Sequence, residues 1–370
     1  MNTNTLTAEA VSSGHPDKFA DIISDTILDE CLRQDPNSRV ACEVLATSDL
    51  LIVAGEITTS ATMDIPLLVK AAAELIGIDI SGTKIKVAIR QQSSDISNAV
   101  DGISELGAGD QGIVVGYATN ETKELMPLEH SLATRLIKQL ERCRHDGSIQ
   151  RIGADAKSQV SIQGGGIKKI VVSVQHGQHK CLDELRQELQ QKVIAPVFAD
   201  YDLIDAEILI NPSGRFVKGG LDADTGLTGR KIVADAYGPR IPVGGGAFSG
   251  KDPTKVDRSG AYYARFIAKN IVAARLSEKC QVTLAYAIGK AKPVAITINT
   301  FGTSVVADCK ILAAVKKLFN PRPAAIIEEL SLKTPIYANT VLRGHFGCNS
   351  FSWEQTHKAN ELRREVYHDG

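Results

Sequence analysis

The chain has 370 residues, which at roughly 100–200 residues per domain is enough for two or three domains that each bury a core. A net charge of −1, with 23% charged and 43% hydrophobic residues, is that of an ordinary globular protein and carries no bulk attraction to nucleic acid or to a membrane surface. Apolar runs such as Leu50 to Ala54 stop well short of the roughly 18 residues of a membrane span, and the first residues lack the basic start and apolar stretch of a signal peptide, so a cytoplasmic protein is expected. The 7 cysteines contain no CxxC pair and are odd in number, which argues against a disulfide framework or a cysteine zinc site and for reduced, mostly core thiols.

In chain order, the loop SSGHPDK leads into a helix with Phe19, Ile22, Ile23 and Ile27 at helical spacing and Pro16 suited to its first turn. Two strands follow, Arg39 to Ala46 and Leu51 to Ile57, joined at Thr47, Ser48 and Asp49, then a helix around Ile65 to Ile76 and a strand at Ile85 to Ile89. The same order starts again from GAGDQG at Gly107. It gives a helix through Leu128, Leu132, Leu136 and Leu140, a hairpin turning at Gly164 to Gly166, a helix around Leu182 to Val193 and a strand at Glu207 to Ile210. A third pass opens on GGGAFSGKDPTKVDRSG at Gly244, with a helix through Tyr263, Phe266, Ile267, Ile271 and Ala274, strands Gln281 to Ile288 and Val294 to Phe301, and a helix around Ile311 to Phe319. A repeat of about 100–130 residues implies an α+β protein of three similar domains, each a small mixed or antiparallel sheet with helices on one face. The expected divisions are 1–100, 101–216 and 217–370, with strands near the boundaries open to exchange.

GAGDQG satisfies the GxGxxG pattern of dinucleotide-binding folds, but the strand-like IVVGYA, where a helix is needed, follows it, and Asp110 would set a carboxylate against a pyrophosphate. GGAFSGK is a near miss to a P-loop, because Asp252 stands where Ser or Thr would bind Mg²⁺. The physics of that stretch still describes an anion site. Its glycines admit a ligand to the backbone, Asp252 is placed to cap the next helix, Pro253 suits the first turn, and Lys251 stands at the positive end of the dipole. GHPDK is a smaller version of the same design. Either motif alone is more often a capped glycine-rich turn; together they favour a polyphosphate ligand. Asp17, Asp257 and Asp110 beside such sites read as Mg²⁺ ligands or their outer shell, or equally as solvated helix-start carboxylates.

GHPDK, GEITTS, GAGDQG with YATNET, DAKSQV, NPSGRFVKGG, GLTGRK, GGGAFSGKDPTKVDRS, KNIVAA, YAIG and GHFG together resemble the methionine adenosyltransferase (S-adenosylmethionine synthetase) family, in its order and over nearly the whole chain. The resemblance implies three domains about a pseudo-threefold axis. It implies ATP contacts from His15, Asp155, Lys157, Arg215, Phe216, Asp224, Arg230, Lys231, Ala247 and Lys251, and a methionine site formed by Glu56, Gln92, Asp224 and Lys255. Catalysis would fall to His15, Lys157, Arg230, Lys251 and Lys255. Asp17 and Asp257 would hold Mg²⁺, about two ions per site, with Asp110 in the outer shell, and Glu43 would hold a single K⁺. The partners implied are ATP, L-methionine and further copies of the chain, as a tetramer built from dimers with sites at the subunit interface, and no nucleic acid or membrane. Ser13 stands where the family has Glu, SVQH replaces STQH, and Asp101 to Leu106 is short for the family's active-site loop.

The chemistry implied is attack of the methionine sulfur on C5′ of ATP, then hydrolysis of the released triphosphate. A thioether has no proton to lose, so the first step needs alignment and leaving-group stabilisation, and no general base. An ATP-dependent phosphotransferase or ligase is the alternative enzyme, and an inactive nucleotide-binding subunit the alternative without activity. The carboxylates and lysines kept in both glycine-rich motifs argue against the latter.

Overall fold

The computed structural model describes residues 4–92 and 106–368. The first third runs β1 (Thr5–Val11), α1 (Pro16–Gln34), β2 (Arg39–Ala46), β3 (Leu50–Thr58), α2 (Ile65–Ile76) and β4 (Lys84–Arg90). The second runs β5 (Gly112–Thr119), α3 (Leu128–His145), β6 (Ile152–Gln163), β7 (Gly166–His176), α4 (Leu182–Leu189), which continues as a wider turn over Gln190–Ile194, and β8 (Glu207–Ile210). The last contains β9 (Gly226–Leu227), α5 (Val256–Ala273), β10 (Lys279–Tyr286), β11 (Ala295–Asn299), α6 (Asp308–Leu318), α7 (Pro323–Glu329), α8 (Tyr337–Arg343) and α9 (Ala359–His368). The expected order of elements therefore appears twice in full and a third time without its closing strand. The short loop expected at 101–106 lies, except for Leu106, outside the described residues.

Among the described residues the strands form three sheets, in the orders β4-β3-β2-β9, β8-β7-β6-β1 and β11-β10-β5. In the first two, the outermost pair is parallel and the remaining pairs are antiparallel. Each sheet ends on a strand lent by another third: β1 borders β6, β5 borders β10 and β9 borders β2. This cyclic loan covers sheet edges that would otherwise offer unpaired N–H and C=O groups. One apolar core joins α1, α2 and the first sheet to α5 and the third sheet, while Leu132, Leu136, Val160, Ile170, Leu185 and Leu189 belong to a second core under the middle sheet. All seven thiols are free; Cys31, Cys42, Cys143 and Cys280 are buried, whereas Cys181 and Cys309 are exposed.

α1 begins as its sequence requires, with His15 as N-cap, Pro16 in the first turn and Asp17 near the positive end. Phe19, Ile22, Ile23 and Ile27 are buried against the first sheet. The opposite side is also buried, and it carries Asp17, Asp21, Asp25 and Asp29 at a spacing of four, one face of a helix. Each carboxylate accepts backbone N–H groups from the last third: Leu227 at 3.0 Å, Gly229 at 2.9 Å, Gly250 at 2.8 Å, and Tyr337 and Ala338 at 2.8 and 2.9 Å, in that order. A polar ladder thus docks the first helix onto the C-terminal third.

A second buried charge cluster closes α5 against the C-terminal turn. Glu354 accepts two bonds of 2.9 Å from Arg265, one of 2.7 Å from Lys269 and one of 3.0 Å from the Gly347 N–H. Burial opposes its ionisation, but Arg265 and Lys269 outweigh burial and hold the carboxyl below the usual glutamate range. The unfolded chain then binds the proton more tightly, so this stabilisation is full above about pH 4.5 and is lost as pH falls below it. Glu354→Gln is expected to flatten the acid limb of stability against pH. Denaturant midpoints between pH 7 and 3 measure this, and an unchanged slope would reject it.

Candidate functional site

The start of α1 organises the first group of polar side chains. His15 is buried, and its Nδ1 accepts the Asp17 N–H at 3.2 Å, which leaves the ring proton on Nε2. Burial, reinforced by Lys231 and Lys157, lowers its pKa to about 4, so the ring is a neutral donor at physiological pH. Asp17 is wholly buried and is met by Lys231 Nζ at 2.5 Å and Arg230 Nε at 3.1 Å. Despite burial, the Lys231 hydrogen bond, the Leu227 N–H and the Arg230 charge hold its carboxyl low. Lys18 ties the far end of the same segment, at 2.6 Å from Asp235. The 227–235 segment, which carries Arg230 and Lys231, two of the phosphate-binding candidates, is therefore pinned to the first two turns of α1.

Asp155 on β6 accepts the Gly220 N–H at 2.8 Å, while its other oxygen is buried without a partner. Burial raises its pKa, and Lys157 and Asp224 act on it electrostatically. Lys157, Arg215, Asp224 and Arg230 are exposed. Phe216 is held by His176, whose Nε2 accepts the Phe216 N–H at 3.0 Å and whose own backbone N–H bonds the Phe216 carbonyl at 2.9 Å. His176 has no expected role, and its position in SVQH is the sequence signal for it. Ser13 donates its N–H and hydroxyl to Glu141 of α3, at 2.7 and 2.6 Å. A carboxylate from α3 therefore reaches the position where the family carries Glu before GHPDK.

The second group is built by the loop 244–255, which lies along β2. Gly250 has φ +79°, and a Cβ there would stand 1.9 Å from the Cys42 carbonyl, so glycine is required at this close approach. Cys42 N–H bonds the Gly250 carbonyl at 2.9 Å, Asp252 N–H bonds the Val40 carbonyl at 3.1 Å, and Val40 N–H bonds the Asp252 carboxylate at 2.7 Å. Asp252 is not the cap of the following helix: α5 begins at Val256 with Lys255 as N-cap, and Asp252 instead closes a turn onto the Thr254 N–H at 2.9 Å and pairs with Lys255 at 2.5 Å. Its attachment to β2 takes it away from the helix start, and Pro253 with it. A Cβ on Gly229, at φ +80°, would stand 2.6 Å from the Ala247 Cβ, so this loop also touches the Arg230 segment.

Between the loop, β3 and the end of β4 lies a cleft of about 470 Å³, with Glu56, Gln92, Asp110, Lys251, Lys255 and Asp257 in its wall. Lys251 bonds Asp257 at 2.6 Å. Arg39 and Arg90, which no motif singled out, line it too. Glu43 is exposed on β2, two residues beyond the cleft-lining Ala41 and so on the same face of the strand, but is not in the wall. Among the described residues no group of three or more His, Cys, Asp or Glu side chains converges as a metal cage.

Cations at two loops that close on α1 and β2, single carboxylates beside them, and a cleft of small-molecule size on a three-sheet α+β frame define a protein built to bind a polyanionic small molecule. Three family models match in tandem: the S-adenosylmethionine synthetase N-terminal domain over 3–104, the central domain over 105–216 and the C-terminal domain over 218–355. The chain is 49% identical to an S-adenosylmethionine synthase of Thermus thermophilus, over 98% of both chains. It is 47% identical to one of Deinococcus deserti over 97% of this chain and 98% of that protein. A Deinococcus radiodurans S-adenosylmethionine synthase is 46% identical over 96% of each. The chain belongs to the S-adenosylmethionine synthetase family.

Proposed function

We infer that this chain is an enzyme that makes S-adenosylmethionine from ATP and L-methionine, the sulfur attacking C5′ and the released triphosphate being cleaved to pyrophosphate and phosphate. The observation that carries the reading is the family match over nearly the whole chain, joined to a site whose charged groups suit a triphosphate leaving group. Lys157, Arg230, Lys231 and Lys251 neutralise that polyanion, and His15 donates from Nε2 to the departing oxygen. Asp155, Arg215, Phe216, Asp224 and Ala247 complete the nucleotide pocket. Glu56, Gln92, Asp224 and Lys255 surround methionine and align its sulfur, which needs no base.

Members of the family depend on metal ions. Asp17 and Asp257 are the residues that would hold Mg²⁺, with Asp110 behind them, and Glu43 the one that would hold K⁺. Each of the two aspartates is a single carboxylate paired with a lysine, Asp17 also with Arg230 and the Leu227 N–H; a hard cation would take the place of that lysine on one carboxylate oxygen and complete its coordination with phosphate oxygens and water, the lysine turning to the phosphates. Bound Mg²⁺ supplies charge neutralisation to the triphosphate. The exposure of Lys157, Arg215, Asp224 and Arg230 supports a site completed by a second copy at a subunit interface, in a tetramer built from dimers. The units 1–100, 101–216 and 217–370, with their edge strands exchanged, are the proposed domains. No helix among the described residues is long and apolar enough to cross a membrane, in keeping with a cytoplasmic enzyme.

Attack at C5′ releases the triphosphate in one piece, whereas a kinase leaves ADP and an amino-acid-activating ligase leaves AMP. One ATP and one methionine are expected to yield one S-adenosylmethionine, one pyrophosphate and one phosphate. Phosphorus NMR of the reaction decides it: ADP or AMP rising in step with methionine loss rejects the reading, and free triphosphate rejects only the coupled hydrolysis.

A further inference from the structure

The register of the first sheet aligns four residues in one row. Lys251 bridges to Ala41, Ala41 faces Glu56 across β2 and β3, and Glu56 faces Arg90 across β3 and β4. Residues in register project to the same face, and all four line the cleft. The row reads cation, methyl group, anion, cation, with about 4.8 Å between neighbouring strands. Ala41 leaves open space at its centre.

The charges in this row are not equivalent. Lys251 is engaged by Asp257, and Lys255, also in the wall, is engaged by Asp252. Glu56 and Arg90 are both exposed, and although their backbones are joined in the sheet, the side chain of neither forms a hydrogen bond or ion pair with another described residue, including each other. A carboxylate and a guanidinium one strand apart, facing one cleft and with side chains left unpaired, offer opposite counter-charges to the ammonium and carboxylate that an α-amino acid carries on one carbon.

We propose that Arg90 binds the α-carboxylate of the amino-acid substrate while Glu56 takes its α-ammonium, an assignment that rests on the reading of the cleft as the methionine site. The guanidinium offers two parallel N–H donors to a planar carboxylate, a geometry that a lysine cannot reproduce. Arg90 stands three strand spacings, about 14 Å, from Lys251, so the phosphates at Lys251 and the carboxylate at Arg90 occupy opposite ends of the row. The thioether chain then extends from Glu56 over Ala41 towards the nucleotide. Arg90 thereby selects for a free carboxylate and fixes the direction in which methionine enters.

The test compares wild type, Arg90→Ala and Arg90→Lys with methionine and with methioninamide, which keeps the ammonium and thioether but has no carboxylate. Arg90→Ala is expected to raise KM for methionine by roughly ten- to a hundredfold, the worth of a charge-assisted pair, and to leave KM for ATP unchanged. Arg90→Lys should recover only part of the loss, and with methioninamide all three proteins should behave alike. An equal rise in KM for methionine and methioninamide, or a rise confined to ATP, overturns the proposal. Equilibrium dialysis of methionine separates the two readings. A wild type that forms no S-adenosylmethionine, yet loses methionine binding on Arg90→Ala, refutes the activity and retains the carboxylate site. One that turns over while Arg90→Ala binds methionine normally refutes the site and retains the activity.

Discussion

Lys231→Met is expected to slow turnover by roughly two to three orders of magnitude, the usual effect of removing one preplaced charge from a site where negative charge develops. The ammonium lies 2.5 Å from Asp17 and is 18% exposed, so it is already desolvated and oriented when substrate arrives. The fold should survive the change. Asp17 keeps Arg230 Nε at 3.1 Å and the Leu227 N–H at 3.0 Å, and the segment remains anchored through Gly229 on Asp21 and Asp235 on Lys18. Lys231 also lowers the His15 pKa, after burial, so the variant should raise the pH at which His15 takes up a proton. Single-turnover formation of S-adenosylmethionine and triphosphate, with circular dichroism as the control, tests this. Turnover within a few-fold of wild type would show that Lys231 serves only to neutralise Asp17.

Asp25→Ala should destabilise the protein by about 3–5 kcal/mol, the cost of leaving one partner of a buried ion pair uncompensated. Arg258 meets Asp25 through two bonds of 2.8 and 2.7 Å, and both side chains are buried. The same carboxylate accepts the Gly250 N–H, so the truncation orphans a guanidinium and a backbone donor at once. The Tyr337 ring, 4.3 Å from the guanidinium carbon, and Thr340, at 3.1 Å, offset the charge only in part. Adding Arg258→Met should recover stability, because the second change removes the stranded charge. Urea unfolding of the single and double variants measures both. A loss below 1 kcal/mol for Asp25→Ala, or a double variant less stable than the single, would mean that the pair does not hold α1 to α5.

Legibility from sequence varied along the chain for identifiable reasons. The apolar stripe Phe19, Ile22, Ile23, Ile27 and the strand runs around Thr47 to Asp49 carry strong periodicities, and their elements lie where expected. β1 alternates Leu6, Ala8 and Ala10 with Thr7 and Glu9, but alanine is a weak strand former, and the segment is a strand because β6 offers it an edge. α7, α8 and α9 are short, 7, 7 and 10 residues, too few turns for a periodicity to stand out in the sequence. Asp252 has the composition of a helix cap and serves as a strand anchor, because the Val40 N–H was available to it. The spacing of Asp17, Asp21, Asp25 and Asp29 was visible, but a carboxylate stripe on a helix normally faces water.

By itself, then, the sequence determined the start of α1, the hairpins, the repeated order of elements and the motif set that resembles one family. These depend on capping, turn chemistry and side-chain period, which act over a few residues. Tertiary structure alone decided which third lends each edge strand, which backbone donors satisfy the four α1 carboxylates, which lysine neutralises which aspartate, and that Lys251, Ala41, Glu56 and Arg90 share a row. The reason is physical: an open sheet edge or a buried charge accepts whichever complementary group the packed chain delivers to it, and residues more than 200 positions apart, such as Asp25 and Arg258, meet only after the core has closed around them.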